Sequence, residues 1–338
     1  MHSWTLTAHG EPAEVLALRE RDVPVPGPLQ VLIHCEGFGL NYADVMAVKG
    51  LYREAPTLPS VLGYEVVGRV EQVGADIPPD WIGKRVVAMT RFGGYAEYAV
   101  TDHRAMAEVP LAMPLGEAAA MATQGCTAWY AAHILCPLRK GQRVLVHSAA
   151  GGVGHLLSQL ALQSGCIVYG TASGAQKMDY LRGIGVQHPV DRSKGDHADH
   201  VRSLLNGAHM DVVFNAVGGS TFAKDQGLLG SGGRIVLYGG AERGSLGPFG
   251  TLRFVWRMGL VIPIFLMMKS RSILGINMLR IAEDHPEIIA ECLHGMVHAQ
   301  AKGHLRAHVH PEFAAADLPA ALTALGNGST MGKVVVRW

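Results

Sequence analysis

Short apolar runs broken by glycine and proline fill the first 123 residues of the chain. Examples are QVLIHCEGFGL (30–40), EVVGRVEQVG (65–74) and KRVVAM (84–89). Short strands punctuated by turn residues are typical of antiparallel sheets that curl into barrels. We therefore expect a mostly antiparallel, barrel-like β domain in this part of the chain.

After Gly141 the pattern changes to short buried strands that alternate with helices. Five segments have the apolar character of strands in a parallel sheet: RVLVH (143–147), CIVYGT (166–171), VQHPVD (186–191), MDVVFNAV (210–217) and RIVLYGG (234–240). Helical patterns lie between them: HLLSQLALQSG (155–165), AQKMDYLRGIG (175–185), SKGDHADHVRSLLNG (193–207) and Thr221 to Leu229. This alternation predicts an α/β fold with a doubly wound parallel sheet.

The last part of the chain contains both kinds of pattern. SILGIN (272–277) has the character of one more buried strand, and residues 280–303 have the period of one long amphipathic helix. LRAHVHPEF (305–313) and GKVVVRW (332–338) have strand character, with a helical pattern between them.

The simplest topology inserts the α/β unit into the β domain, whose last strands come at the C-terminus. This predicts a β-rich domain of residues 1–123 plus 279–338 and a dinucleotide-binding domain of residues 124–278.

Composition excludes several classes of protein. Lys plus Arg number 29 and Asp plus Glu 28, so the net charge of +1 gives no field to attract a nucleic acid. The five cysteines lack CxxC spacing, which predicts reduced thiols without a closed zinc site. The first residues, MHSWTLTAHGEP, have neither the basic start nor the apolar core of a signal peptide. We therefore expect a cytoplasmic location.

Residues 254–268, FVWRMGLVIPIFLMM, are the longest apolar stretch. They carry Arg257 and Pro263 and fall short of the roughly 20 residues that a membrane-spanning helix needs. We therefore expect no transmembrane span. From Phe254 to Met268 we expect an apolar loop that lies over a substrate pocket or contacts a membrane surface.

A glycine-rich turn connects the first strand of the α/β unit to its first helix. Ala149, Gly151 and Gly154 fill the three positions of an A-x-G-x-x-G variant of the dinucleotide motif, with Gly152 as a further small residue. Missing Cβ atoms let backbone amides approach a pyrophosphate at the positive N-terminus of the helix. Because the turn lies between a strand and a helix, we predict a dinucleotide cofactor.

The end of the second strand indicates which cofactor fits. An NAD site places Asp or Glu there to bond the ribose 2′-hydroxyl, but the sequence here is YGTASGAQK (169–177). Thr171, Ser173 and Lys177 can offer hydroxyl groups and a cation to a 2′-phosphate, and no carboxylate repels it. We therefore predict NADPH.

Five segments carry a family resemblance: GFGLNYADVMAVKGLY (37–52), LPSVLGYEVVGRVEQVG (58–74), QGCTAWYAA (124–132), HSAAGGVG (147–154) and GKVVV (332–336). Their order resembles the zinc-free quinone oxidoreductase branch of the medium-chain dehydrogenase/reductase superfamily, over nearly the whole chain. KSRSILGINMLRI (269–281) is further similar to the subgroup around the vesicle amine transport protein homologue. The resemblance implies a Rossmann domain inserted into a GroES-like catalytic domain, and a homodimer.

Zinc-containing members of this superfamily hold a catalytic metal through Cys, His and Cys. The corresponding residues here are Asn41, Tyr64 and Thr123, none of which is a plausible zinc ligand. The resemblance therefore implies a site without metal, where alcohol oxidation is unfavourable. Hydride transfer to a quinone or an α,β-unsaturated carbonyl, which already stabilises negative charge, is the reaction that we predict.

The resemblance also implies roles for individual residues. Asn41, Tyr52 and Tyr64 would donate hydrogen bonds to the substrate carbonyl, although a purely structural hydrogen bond is about as well expected for each tyrosine. Met46 stands where the family often has tyrosine. Cofactor contacts would come from Asn41, Thr127, Ala150, Gly151, Gly152, Val153, Ser173, Lys177, Asn215, Tyr238, Gly239, Ile276, Asn277 and Lys333.

Two alternatives remain open from the sequence. Reductase domains of fatty-acid and polyketide systems have similar GLNYADV and HSAAGGVG segments, so an enoyl thioester is a second substrate class. The third hypothesis is a protein that binds NADPH with little catalysis and acts through contacts of residues 254–268 with a membrane or a partner.

Overall fold

The computed structural model describes residues 1–245 and 250–338. In these residues the β-strands are β1 (His2–Leu6), β2 (Leu16–Glu20), β3 (Gln30–Leu40), β4 (Ser60–Val61), β5 (Glu65–Val73), β6 (Arg85–Met89), β7 (Tyr98–Asp102), β8 (Met106–Glu108), β9 (Arg143–Val146), β10 (Ile167–Ala172), β11 (His188–Asp191), β12 (Met210–Asn215), β13 (Leu229–Leu237), β14 (Ser272–Gly275), β15 (Phe313–Ala314) and β16 (Val334–Arg337).

The α-helices of the same residues are α1 (Pro12–Val15), α2 (Tyr42–Val48), α3 (Leu115–Ala120), α4 (Cys126–Trp129), α5 (Gly152–Gln163), α6 (Ala175–Gly183), α7 (His197–Leu205), α8 (Ser220–Gln226), α9 (Gly250–Met258), α10 (Pro263–Lys269), α11 (Met278–Asp284), α12 (Pro286–Ala301) and α13 (Leu318–Gly326). Two π-helical segments, Met121–Gly125 and Tyr130–Leu135, flank α4. The chain divides into two compact units: unit 1 is Met1–Cys126 with Met278–Trp338, and unit 2 is Thr127–Asn277.

Unit 1 is built from two mostly antiparallel sheets, which confirms the predicted β domain. A three-stranded sheet has the order β2-β1-β4. A seven-stranded sheet has the order β15-β16-β3-β5-β6-β8, and β7 also pairs with β3. The 11-residue strand β3 is central, because it pairs with β5, β7 and β16. Apolar side chains of β3, β5 and β6 fill the core of this unit.

Unit 2 contains one parallel sheet of six strands, in the order β11-β10-β9-β12-β13-β14. This confirms the predicted doubly wound α/β fold. The chain runs outward from β9 to β11 and then returns to the other side of β9 with β12. In such sheets ligands bind outside the carboxyl ends of the strands where the order reverses, here beside β9 and β12.

Residues 280–303 were predicted as one helix and form two, α11 and α12. The break falls at His285, whose φ of −140° and ψ of 61° are not helical. Pro286 causes it, because a proline disfavours the helical conformation of the residue before it and lacks an N–H. Of the predicted strand 305–313, Phe313 alone lies in a named strand, and Val309 forms a single bridge with Lys333.

The prediction of an apolar loop at residues 254–268 was also wrong, because most of these residues belong to the helices α9 and α10. These helices are separated at Gly259, whose φ is 75°, and α10 begins with Pro263. An 18-residue window within Gly250–Lys269 has a mean hydropathy of 1.5, and the stretch is one candidate span by length and composition. Neither helix alone approaches the roughly 20 residues that cross a bilayer.

Candidate functional site

The predicted phosphate-binding turn joins β9 to α5 in unit 2. Its backbone is fixed by two hydrogen bonds, from Ala149 N to the Thr171 carbonyl and from Gly151 N to the Ser148 carbonyl, each 2.8 Å long. A Cβ on Gly154 would lie 2.2 Å from the Ser148 carbonyl oxygen, so no other residue fits there. Gly151 is the N-cap of α5 and offers no side-chain acceptor. The first amides of α5 therefore have no partner within the helix and can bind an anion.

Three residues at the end of β10 were predicted to bind a 2′-phosphate, and the structure corrects one of them. Ser173 is exposed, and Lys177 is half-buried on α6. Thr171 is completely buried, and its hydroxyl lies 3.3 Å from His147 Nδ1. Thr171 therefore cannot offer its hydroxyl to a phosphate.

Arg192, which sequence reasoning missed, lies beside this strand end. It follows β11, whose last residue Asp191 is in register with Ala172 of β10. Its Nε is buried without a hydrogen-bond partner in residues 1–245 and 250–338. Burial lowers the pKa of Arg192, and burial together with the charge of Arg192 lowers the pKa of Lys177. Two cations that repel each other at this position would be stabilised by an anion.

Asp191, the acid that precedes Arg192 in the sequence, is hydrogen-bonded to other groups. Asp191 Oδ1 accepts hydrogen bonds from the backbone and hydroxyl of Ser193 and from Gly174 N. These contacts hold the pKa of Asp191 below its usual value. Sequence could have identified Arg192 only if β11 had been placed next to β10, because the two cations come from different strand–helix units.

Other predicted cofactor residues lie at the ends of β12, β13 and β14. Tyr238 and Ile276 are half-buried, and Gly239 and Asn277 are exposed. Asn215 is completely buried: its Oδ1 accepts two backbone N–H groups at 2.8 Å, and its Nδ2 donates within the unit. A direct contact of the Asn215 side chain with a cofactor is therefore not supported. Thr127 is buried at the start of unit 2.

In unit 1, Asn41 belongs to a buried polar cluster. It caps α2 in a capping box with Asp44, and its Nδ2 donates to both carboxylate oxygens of Glu65 at 2.9 Å. Lys333 pairs with Glu65 and donates to the Leu40 carbonyl at 3.3 Å. The amide of Asn41 and the ammonium of Lys333 thus bind Glu65. This arrangement disfavours the predicted contact of Lys333 with the cofactor.

Tyr52 and Tyr64 lie edge to face, with ring centroids 6.1 Å apart. Tyr64 is only 3% exposed, and its hydroxyl makes no hydrogen bond of good geometry in the described residues. Burial raises the pKa of both phenols, so both remain protonated donors at neutral pH.

The positions that correspond to the zinc ligands of the superfamily do not fit the metal. They offer an amide, a phenol and an aliphatic hydroxyl from Asn41, Tyr64 and Thr123. Thr123 Oγ1 donates to the backbone carbonyl of Tyr64 at 3.2 Å. In the described part of the chain the one close group of three potential metal ligands lies in unit 2 and consists of His147, His197 and Asp225.

Comparison with known proteins agrees with the fold. Residues 27–111 match the alcohol dehydrogenase GroES-like domain, and residues 152–294 match the zinc-binding dehydrogenase family. The human synaptic vesicle membrane protein VAT-1 homolog is 31% identical over 318 residues, which are 93% of this chain and 80% of that protein.

Two solved structures superpose over the whole chain. A quinone oxidoreductase of Pseudomonas syringae pv. Tomato DC3000 is 27% identical with a TM-score of 0.87, covering 100% of this chain and 99% of its own. The mycobacterial protein Rv1454c, solved in complex with NADPH, is 29% identical with a TM-score of 0.86 and full coverage of both chains. The chain therefore belongs to the medium-chain dehydrogenase/reductase superfamily and is related to the VAT-1 homologues within it.

Proposed function

We propose that this protein is an oxidoreductase that transfers hydride from NADPH to a quinone or an α,β-unsaturated carbonyl without zinc. The observation that carries the proposal is the pair of cations, Lys177 and Arg192, beside the carboxyl end of β10. A 2′-phosphate, which NADPH has and NADH lacks, would relieve their repulsion. The NADPH complex of Rv1454c supports the same choice.

NADPH supplies the hydride when it is bound. In unit 2 the amides of Ala150 to Val153 would hold the pyrophosphate at the N-terminus of α5, and Ser173, Lys177 and Arg192 would hold the 2′-phosphate. The exposed backbone at Gly239 and Asn277 would adjoin the nicotinamide half.

For the acceptor we propose hydrogen-bond donors among the residues of unit 1. The phenols of Tyr52 and Tyr64 would donate to the carbonyl oxygen, where negative charge develops as hydride arrives. Loss of one such donor costs about 10²–10³ in rate in well-studied sites. Asn41 can contribute only an amide hydrogen that Glu65 does not use.

The test is NADPH oxidation with small quinones and with 2-alkenals, beside equilibrium binding of NADPH and NADH. We expect turnover with one of these acceptor classes and tighter binding of NADPH. Tight NADPH binding with no turnover of either acceptor would refute the proposed reaction. Much faster turnover of crotonyl thioesters would select the enoyl-thioester alternative.

A second function, contact with an anionic membrane surface, is favoured by the segment Gly250–Lys269. Its apolar side chains are exposed, including Trp256 at 81% and Leu260 at 86%. Within the segment Arg253 and Lys269 are exposed cations, whereas Arg257 pairs with Glu242. Exposed apolar helices with basic residues are typical of segments that bind anionic lipid interfaces.

We further propose a homodimer formed through β14. This strand is at the edge of the parallel sheet, where an unpaired backbone can bind a second copy of the same strand. The molar mass measured by light scattering tests this proposal, and a monomer at all concentrations would refute it.

A further inference from the structure

A buried cluster in unit 2 consists of His147, His197 and Asp225, none of which is among the proposed cofactor contacts. Asp225 Oδ1 is 2.9 Å from His197 Nε2, and Asp225 Oδ2 is 2.9 Å from His147 Nε2. Asp225 and His147 are completely buried. Burial by itself raises the pKa of Asp225, but the two facing histidines hold it below its usual value. The carboxylate is therefore ionised at neutral pH.

The cluster reaches the carboxyl ends of three neighbouring strands. His147 follows β9, and its Nδ1 lies 3.3 Å from the hydroxyl of Thr171 on β10. Asn215 ends β12 and donates Nδ2 to Asp225 Oδ2 at 2.6 Å. The Oδ1 of the same amide holds two backbone N–H groups of the loop after β12. One carboxylate is thus connected to the carboxyl ends of β9, β10 and β12, where the order of strands reverses.

The geometry is that of a saturated hydrogen-bond network. Distances of 2.9 Å are usual for N–H···O bonds. Asp225 accepts from two imidazoles and one amide, which satisfies its oxygens without a metal ion. A hydroxyl of Thr171 that donates to His147 Nδ1 requires the proton of this imidazole to be on Nε2, facing Asp225.

We propose that Asp225 is a positioning residue that holds the phosphate-binding turn in shape through His147. The next residue, Ser148, has a φ of 51°, in the left-handed region that non-glycine residues avoid. Such a conformation persists only where the surroundings determine it. On one side of Ser148, the hydrogen bonds of the His147 side chain fix His147. On the other side, the bond from Ala149 N to the Thr171 carbonyl fixes Ala149. The importance of this turn rests on the NADPH binding proposed above.

His197 provides a matched control. It donates to the same carboxylate at the same distance, but it begins α7 and is not part of the strand that leads into the turn. His147→Asn and His197→Asn each remove one bond to Asp225, because asparagine is too short to replace Nε2. His147→Gln can restore the bond, since its amide reaches the Nε2 position. Asp225→Asn keeps the shape of the side chain and removes its charge.

Two measurements test the proposal: the Kd for NADPH, and hydrogen exchange of peptides covering residues 147–155 in the cofactor-free protein. For His147→Asn and Asp225→Asn we expect at least a tenfold higher Kd and faster exchange in the turn. For His197→Asn we expect a lower Tm, a Kd within about twofold of the wild type and unchanged exchange in the turn. His147→Gln should recover most of the affinity.

Equal effects of His147→Asn and His197→Asn on the turn would overturn the proposal, as would one tightly bound metal ion per chain that both variants lose. If Asp225→Asn does not fold, Thr171→Val is the milder test, since it removes only the hydroxyl on His147 Nδ1; it should raise exchange in the turn. A wild-type protein that does not bind NADPH would refute the proposed function, while the exchange measurement would still decide the role of Asp225.

Discussion

At the scale of single residues, the proposed recognition of the 2′-phosphate is divided between two strand–helix units. Lys177 lies on α6, after β10, and Arg192 follows β11. Each is partly desolvated, and burial lowers the pKa of each. A dianionic phosphate between them would stabilise the protonated forms of both side chains by accepting charge-assisted hydrogen bonds.

We expect Lys177→Ala and Arg192→Ala each to raise the Kd for NADPH about tenfold or more and to leave the Kd for NADH nearly unchanged. The reason is that hydrogen bonds to charged groups contribute about 1.5–3 kcal/mol. Fluorescence titration with both cofactors measures the effect. Lys194→Ala, which removes an exposed cation nearby, is the control. Equal losses for NADPH and NADH would contradict the assignment.

Asp44 gives unit 1 a pH dependence. Burial raises the pKa of Asp44 to about 8, although the hydrogen bond from Asn41 N and the charge of Lys333 both lower it. Its ordinary value is about 3.9, so the unfolded chain ionises first as the pH rises. The stability that Asp44 contributes is complete below about pH 4 and is lost as the pH rises through about 8.

The stability of the Asp44→Asn variant relative to the wild type should therefore increase as the pH rises. Asparagine stays neutral and can still accept the bond from Asn41 N. We expect the Tm of the variant minus that of the wild type to increase steadily from mildly acidic to mildly alkaline buffer. A difference that does not change with pH would show that Asp44 is not the group responsible.

The residues of the site differ in how far sequence could predict them. The positions of Ser173 and Lys177 next to the strand end were predictable because the βαβ pattern fixes their distance from the strand, and their contact with a phosphate stays a prediction. Arg192 was not, because its distance to Lys177 depends on which strands are neighbours. Thr171 was misassigned because its hydroxyl faces His147, a contact that depends on the packing of side chains behind the strand.

At the scale of elements, the apolar stretch was the main error. Residues 259–268 contain no polar side chain that would mark a helical period, so the pattern predicted a loop. The backbone of a continuous apolar segment nevertheless satisfies its own hydrogen bonds best as a helix, and here residues 259–262 separate two helices, with a left-handed Gly259 after α9 and Pro263 at the start of α10. By contrast, the strands β9 to β12 were predictable because each is short and is followed by a helical period.

We expect the variant with Trp256→Glu and Leu260→Glu to lose most of its binding to vesicles that contain phosphatidylserine. Each substitution replaces an exposed apolar side chain with a charge that both the lipid tails and the anionic surface disfavour. Flotation measures the effect. The control carries Val25→Glu and Leu111→Glu, at apolar residues that are 86% and 70% exposed outside this segment. Equal loss in the control, or equal binding to neutral vesicles, would contradict a specific anionic contact.

At the scale of the whole molecule, a buried ion pair ties the C-terminal strand to the core of unit 1. Lys333 immediately precedes β16, and Glu65 begins β5. Both side chains are fully buried. A Cβ on Gly39 of β3 would lie 2.1 Å from Glu65 Oε1, so this glycine makes room for the pair. The insertion of unit 2 was predictable from the order of patterns, but this pair was not, since its members are distant in sequence.

Lys333→Met should destabilise the protein by about 3–5 kcal/mol, because it leaves Glu65 buried without its partner. Adding Glu65→Gln to this variant should recover most of the loss, since the amide can still accept from Asn41 Nδ2. The test measures the free energy of unfolding in urea for the wild type, for both single variants and for the double variant. A double variant as unstable as the sum of the singles would contradict a coupled pair.

The pairing of β16 with β3 also determines when unit 1 can be completed during synthesis. Lys333 and its acceptor Leu40 are 293 positions apart, whereas unit 2 is one continuous segment. On the ribosome, residues 37–40 of β3 therefore lack their β16 partner until nearly the whole chain has been translated, and unit 2 can fold in that interval. The nascent chain thus keeps a short open strand edge at residues 37–40 for most of its elongation, and a chaperone that covers this edge would protect it from pairing with another chain.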